Sequence, residues 1–166
     1  MSVLPIAGTG GAVQTRLHRV LLEHHRALET ACEALLANTY GDDPRNLVFA
    51  YRSFERSMLE HLAAEDELIL PAYAESAAAD AQWIRDDHVA IRELLFQIGV
   101  DVELHIVRVE TVKRLIEKLQ AHAVREDAAM YPWAQAHLPL TTRRWLFVRI
   151  GRALRALLGQ RSAAAS

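Results

Sequence analysis

Apolar residues recur every three or four positions over long stretches of this chain, which is the spacing of one face of an α-helix. A first helix has such a stripe, formed by Leu17, Leu21, Leu28, Cys32 and Leu35. Similar stripes mark a second helix over residues 47 to about 71, a third over 83–98 and a fourth over 112 to about 132. Few segments alternate between apolar and polar residues as a β-strand does, so the pattern predicts an all-α protein.

Glycine, proline and small polar residues separate these stripes. The segment 41–44 ends the first helix, and Asp43 followed by Pro44 is a good N-cap and first residue for the second. Residues 71–80 are small and polar and are expected to form a connection, and the β-branched run after Gly99 disfavours helix. Long helices with short connections imply antiparallel neighbours, so we expect an up-down four-helix bundle.

A further amphipathic helix is predicted beyond this bundle, starting after Pro139 and shorter than the others. One of its faces is basic and consists of Arg144, Arg149, Arg152 and Arg155. The opposite face is apolar, so this helix either docks on the bundle and leaves its basic face in water, or contacts a partner, as in a homodimer, or binds an anionic surface. The expected organisation is a flexible N-terminal arm (1–14), the bundle (15–138), the C-terminal helix (139–160) and a disordered tail (161–166).

Composition narrows the class of protein. The chain has 166 residues, of which 51% are hydrophobic and 24% charged, as expected for one soluble domain. A formal net charge of -2 gives no general basic excess for nucleic acid. Cys32 is the single cysteine, so no disulfide can form within the chain, and we find neither a signal peptide nor a segment able to span a bilayer. These features predict a cytoplasmic protein.

Two segments repeat the same polar residues at the same spacing. The first copy contains His61, Glu65, Asp66 and Pro71, and the second contains His122, Glu126, Asp127 and Pro132. The first and third helices match as well, because His25 precedes the apolar residues of its helix as His88 does in its own. The chain therefore looks like two copies of one helical hairpin.

The repeated histidines and glutamates lie within the apolar stripes, so they are expected to point into the bundle. Burying an ionised carboxylate without a partner costs on the order of several kcal/mol. A pair of metal ions would compensate two glutamates and four histidines together, and residues four apart on a helix can reach the same ion. The predicted metal ligands are His25, His61, Glu65, His88, His122 and Glu126.

The four histidines are also expected at one height in the bundle. In an antiparallel hairpin, residues at one height lie equally far from the turn. The midpoints between successive histidines fall at residue 43, between 74 and 75, and at 105, each in an expected connection. The third connection is therefore predicted near His105.

Some choices stay open at this point. His25 is preferred to His24 because it matches His88 in the repeat, but the two are adjacent. Asp66 and Asp127, one residue past the glutamates, are alternative ligands, although supporting or surface roles fit the repeat better. Four further residues either line a small-molecule pocket or belong to the core: Tyr51, Met58, Met130 and Tyr131.

With these motifs, residues 15–135 resemble the hemerythrin-like, or HHE cation-binding, domain. The resemblance implies that Glu65 and Glu126 bridge two oxo- or hydroxo-bridged non-haem irons, with two histidines per metal and an open position for a small ligand. Arg92 stands where the invertebrate oxygen carriers have a further histidine, so the chain is more similar to the bacterial branch. Ferritin-like proteins use Glu-x-x-His, with the opposite order and a different spacing.

The resemblance implies binding of, or reaction with, dioxygen, nitric oxide or peroxide in sensing, stress response or iron handling. The alternatives are an iron store or donor, and a structural bundle that metal only stabilises. Zinc or manganese also suits imidazole and carboxylate ligands. The residues leave open whether the protein is an enzyme of peroxide or nitric oxide chemistry.

Overall fold

The chain folds into helices that lie side by side. The computed structural model describes the backbone of residues 10–41 and 43–164, and the side chains of 17–41 and 43–159. The helices among them are α1 (Gly10–Asn38), α2 (Pro44–Leu68), α3 (Leu70–Ser76), α4 (Ala78–Glu103), α5 (Val109–Arg125), a π-helical turn (Glu126–Met130), α6 (Tyr131–His137) and α7 (Leu140–Ala164). The described residues contain no strand, which confirms the predicted all-α class.

The four long helices α1, α2, α4 and α5 surround one interior. Helix α1 packs against α2 and α5, and α4 packs against the same two helices from the other side. The buried side chains form two apolar clusters, one containing Leu28, Phe54 and Ile91 and the other Leu21 and Ile84. On each long helix the repeated histidine falls between residues of these two clusters, so a polar layer divides the core.

Two turns confirm predictions made from the sequence. The carboxylate of Asp43 accepts a hydrogen bond from the Arg45 N–H at 2.9 Å, and Pro44 is the first residue of α2. This N-cap satisfies a backbone donor that the helix itself leaves free. The third connection, residues 104–108, contains His105, whose φ of 56° lies in the left-handed region that favours glycine.

The expected connection over residues 71–80 was wrong, and helix also extends through a segment where the sequence disfavours it. Residues 71–80 do not form an irregular connection, because Pro71 lies in the first turn of the short helix α3 and α4 begins already at Ala78. A proline is compatible with the first turn of a helix, where its missing N–H has no intrahelical acceptor. Helix α4 also continues through Gly99 to Glu103, because tertiary packing outweighs the low helix propensity there.

The ends of the chain differ in part from the predicted boundaries. Helix α1 begins at Gly10, so residues 10–14 of the expected arm are helical, and residues 1–9 lie outside the described residues. Helix α7 reaches Ala164 and is longer than predicted, because its alanine-rich end favours helix. Of the expected tail, residues 165–166 lie outside the described residues.

Helix α7 docks on the bundle. It packs against α1 and α2 through buried side chains that include Leu146, Ile150 and Leu157. Arg149 from the predicted basic face donates hydrogen bonds to Glu60 at 2.9 Å and to Glu67 at 2.5 Å, both on α2. No helix among the described residues is long and apolar enough to cross a membrane.

Candidate metal centre

The structure brings all six predicted ligands together between the two apolar clusters. His25 comes from α1, and His88 comes from α4. Helix α2 supplies His61 and Glu65, while α5 and the π-helical turn supply His122 and Glu126. Five of these side chains are at most 2% exposed, and the sixth, His25, is 11% exposed. A polar cluster this deep requires an unusual source of compensation.

These residues form two groups that share both glutamates. The first group is His25, His61, Glu65 and Glu126, and the second is Glu65, His88, His122 and Glu126. Within each group the four candidate ligand atoms lie within 4.8 Å of one another. Neither helical hairpin therefore forms a site by itself, because the histidines of α1 and α2 lie next to the glutamate that follows α5.

The two oxygens of each glutamate face different groups. Oε1 of Glu65 lies 3.4 Å from Nε2 of His61, whereas its Oε2 lies 3.5 Å from Nε2 of His88. Oε2 of Glu126 lies 3.3 Å from Nε2 of His25, whereas its Oε1 lies 2.9 Å from Nε2 of His122. A carboxylate oriented in this way can bind one cation through each oxygen.

The second group lacks internal hydrogen bonds. Among the described residues, four buried atoms in it have no hydrogen-bond partner of good geometry: Glu65 Oε2, His88 Nε2, His122 Nε2 and Glu126 Oε1. Leaving a buried polar atom unsatisfied costs about 1–3 kcal/mol, and more for a charged group. All four atoms can donate a lone pair to a cation, so the donor set fits a metal ion. Binding of such an ion would offset the cost of burying these atoms.

The pKa values of the side chains in this cluster indicate the same need for positive charge. Burial and the nearby Glu126 carboxylate raise the pKa of Glu65. Burial alone would lower the pKa of His88, but Asp66 and the two glutamates raise it to about 11. In the same way, Asp127 and both glutamates outweigh burial and raise the pKa of His25 to about 10. Protons on these histidines supply charge that a cation would otherwise provide.

Comparison with known proteins agrees with this geometry. The family model described as hemerythrin HHE cation binding domain matches residues 16–134. The chain belongs to this hemerythrin HHE family. Searches of the curated proteins and of the solved structures found no significant match. The description of the family names cation binding, and the six candidate ligands of this HHE domain all lie within the matched segment.

Aspartates lie next to the Nδ1 atoms of three histidines in this HHE domain, on the side away from the glutamates. Oδ1 of Asp66 lies 2.7 Å from Nδ1 of His88, and Arg92 donates to the other oxygen of Asp66 at 2.5 Å. Oδ1 of Asp127 lies 3.3 Å from Nδ1 of His25, and Oδ2 of Asp87 lies 3.5 Å from Nδ1 of His122, although neither pair has the geometry of a hydrogen bond. A carboxylate in this position orients the imidazole and makes it a stronger donor. Asp66 and Asp127, the alternative ligands, thus lie behind the histidines.

His24 has the same supporting place behind His61. Its Nδ1 lies 3.0 Å from Nδ1 of His61, and its Nε2 lies 2.9 Å from the Ser57 hydroxyl oxygen. Burial and the neighbouring His25 lower the pKa of His24 to about 3, so this imidazole stays neutral. Its role was missed, although a signal existed, because His24 occupies the repeat position of Asp87 just as His25 occupies that of His88.

The prolines of the repeat change the helix after each glutamate. Pro132 has no N–H to donate within the helix, and just before it the chain widens into the π-helical turn, where the Tyr131 N–H bonds to the Glu126 carbonyl. The turn brings Tyr131 back over the ligands, where its hydroxyl lies 2.8 Å from His25 Nε2. Tyr131, considered as either a pocket or a core residue, therefore contacts the metal centre.

A cavity of about 300 Å³ lies between α1, α2 and α5 next to the centre. His25, His61 and His122 line it on the inner side. Most of the remaining wall is apolar and includes Leu28, Cys32, Met58, Ile116 and Leu119. Met58 is thus a lining residue, as one of the two interpretations predicted.

Proposed function

We propose that the chain is a non-haem di-iron protein that binds or reacts with a small oxidant, namely dioxygen, nitric oxide or peroxide. The observation that carries the proposal is the sharing of Glu65 and Glu126 between two ligand groups, with one oxygen of each glutamate facing each group. His25 and His61 would hold one ion, and His88 and His122 the other. Family membership supports the binding of cations in general.

The surrounding residues orient the ligands for two metal ions and limit the access of water. Contacts to Nδ1 from Asp66 and His24 orient the imidazoles of His88 and His61 with Nε2 toward the glutamates. The two apolar clusters on either side keep bulk water away from the cluster. Bound iron would supply redox chemistry and open coordination positions.

The adjoining cavity supports a small and uncharged ligand. Most of its wall is apolar and suits a diatomic molecule that needs no hydrogen bonds. The remaining lining residues offer hydrogen-bond partners to peroxide, namely the three histidines with Arg26, Glu29, Gln120 and Asp127. Arg92 is engaged by Asp66 behind His88, so it does not replace the further histidine of the oxygen carriers as a ligand. This favours sensing or reaction over reversible oxygen carriage, and a cytoplasmic location is part of the same proposal.

Storage or delivery of iron is the second candidate. The partial exposure of His25, at 11% of its side chain, favours it, because the first ion would have a path to solvent on that side. A metal-stabilised structural bundle would need neither this exposure nor the cavity.

Stopped-flow mixing of the reduced, iron-loaded protein with each oxidant tests the proposal. A stoichiometric spectral change indicates binding or sensing, and continuous consumption indicates an enzyme. Leu119→Trp should slow either process by filling the cavity, whereas Leu59→Trp at an exposed position of α2 should not. An iron-loaded protein that reacts with none of the three oxidants would contradict the proposal and favour storage or a structural role.

A further inference from the structure

Tyr131 places its hydroxyl against all four ligand atoms of the first group. The hydroxyl oxygen lies 2.8 Å from His25 Nε2, 3.4 Å from His61 Nε2 and 3.3 Å from Glu126 Oε2. It also donates a hydrogen bond to Oε1 of Glu65. The side chain is 1% exposed, so water does not compete for these contacts.

These distances are those between neighbouring ligands of one ion. Metal bonds of about 2.0–2.2 Å at right angles place adjacent ligand atoms about 3 Å apart. The other atoms of the group have the same spacing, with 3.1 Å between Nε2 of His25 and Nε2 of His61, and 3.3 Å between His25 Nε2 and Glu126 Oε2. A hydroxyl at the position of the ion itself would lie only about 2 Å from each ligand atom.

We infer that Tyr131 is a further protein ligand of the ion held by His25 and His61, bound through its phenolate oxygen. The inference rests on the proposed two-metal function. The phenol loses its proton to water when the metal–oxygen bond forms, as ligand groups generally do. Phenolate is an oxygen donor that proteins use for iron. It adds a third negative charge to those of Glu65 and Glu126 and favours a trivalent ion.

Among the residues with described side chains, none is an equivalent ligand for the second ion. Leu70 occupies the position of Tyr131 in the first copy of the repeat, five residues after Glu65 and one before Pro71. Leu70 is fully buried in the apolar cluster and has no donor atom in its side chain. The two ions are therefore inequivalent, with one more protein ligand at the His25–His61 position and more open positions at the His88–His122 position.

The test is the visible and resonance Raman spectrum of the full chain loaded with iron in air, together with the iron content. The wild type should show a phenolate-to-iron(III) charge-transfer band and enhanced phenolate ring vibrations. Tyr131→Phe should lose the whole band, keep iron at the second position, and release the other iron to a chelator at least about tenfold faster. Tyr51→Phe is the matched control, because the buried Tyr51 hydroxyl binds Glu55 and the Leu95 carbonyl away from the centre.

Two results would overturn the inference. The first is a wild-type protein that holds two irons per chain but shows no phenolate band. This result does not depend on the folding of any variant, and it leaves the proposed function intact. The other is a band that survives in Tyr131→Phe. A wild type that takes up no iron would instead contradict the proposed function, and the iron content separates this case from the other two.

Discussion

His24 and His61 face each other through their Nδ1 atoms at 3.0 Å, so one proton is shared between two imidazoles. If Nε2 of His61 offers its lone pair to a metal ion, the His61 proton lies on Nδ1 and is donated to His24. His24 then carries its own proton on Nε2 and donates it to the Ser57 hydroxyl 2.9 Å away. A neutral residue thereby fixes the tautomer of a ligand.

His24→Leu should weaken the binding of one metal ion by about 10- to 100-fold, because His61 loses the acceptor that orients it. His24→Gln is the matched variant, since an amide oxygen can accept the same proton. Competition with a chelator, at one and two equivalents of metal, measures the effect. Equal affinities for the leucine variant and the wild type would show that His24 does not position His61.

Asp66→Asn should weaken metal binding by a similar factor, about 10- to 100-fold, because it removes the negative charge 2.7 Å from Nδ1 of His88 that makes this imidazole a stronger donor. The expected loss falls on the ion held by His88 and His122. Asp86→Asn, at an exposed position of α4, is the control and should leave the affinity unchanged. If both variants bound metal like the wild type, the supporting role of Asp66 would be refuted.

The sequence predicted which six side chains converge in the bundle, because the repeat contains the same pattern twice. The two His-x-x-x-Glu pairs and the two matching histidines can be recognised without knowing how the helices are oriented. The site was harder to predict where the two copies differ. His24 replaces an aspartate and Tyr131 replaces a leucine, and neither substitution shows its purpose until the helices are packed. The path of the chain around Pro71 and Gly99 likewise depends on tertiary packing, which local propensity does not contain.

Gly99→Ala should destabilise the fold by about 1–3 kcal/mol without changing metal content. A Cβ at residue 99 would lie 2.6 Å from the Tyr51 hydroxyl, which is fixed by its hydrogen bond to the Leu95 carbonyl. Gly159→Ala is the control, because nothing lies within 4 Å of its Cβ, and it should stabilise α7 by about 0.5–1 kcal/mol. Urea unfolding of the metal-free variants measures both changes in the free energy of unfolding. An unchanged free energy of unfolding in Gly99→Ala would contradict the tight contact.

Metal affinity should rise with pH. In the metal-free protein the carboxylates raise the pKa of His25 to about 10 and that of His88 to about 11, so both protons must leave when metal binds. The two histidine protons give up to about a hundredfold tighter binding per pH unit around neutrality, and a proton released from the Tyr131 phenol would add up to about tenfold. Competition titrations at several pH values, with proton release followed by an indicator dye, check this. A pH-independent affinity would contradict it.

The metal-free protein should show the opposite trend. A histidine with a raised pKa binds its proton more tightly in the folded state than in the unfolded state. The stability that His25 and His88 contribute is therefore fully present below about pH 6.5 and is lost as the pH rises through about 10 to 11. Thermal unfolding of the chelator-treated protein across this range measures the trend.

The central claim is that Glu65 and Glu126 each bind both ions. Metal content per chain, measured on protein purified from iron-supplied cells, tests it most directly in the wild type, Glu65→Ala and Glu126→Ala, with Glu67→Ala as an exposed control on α2. The account predicts two irons per chain in the wild type and the control, and at most one in each of the other variants, because a lost bridge removes an oxygen from both ion positions. Full metal content in Glu65→Ala and Glu126→Ala, or a wild type without iron, would contradict it.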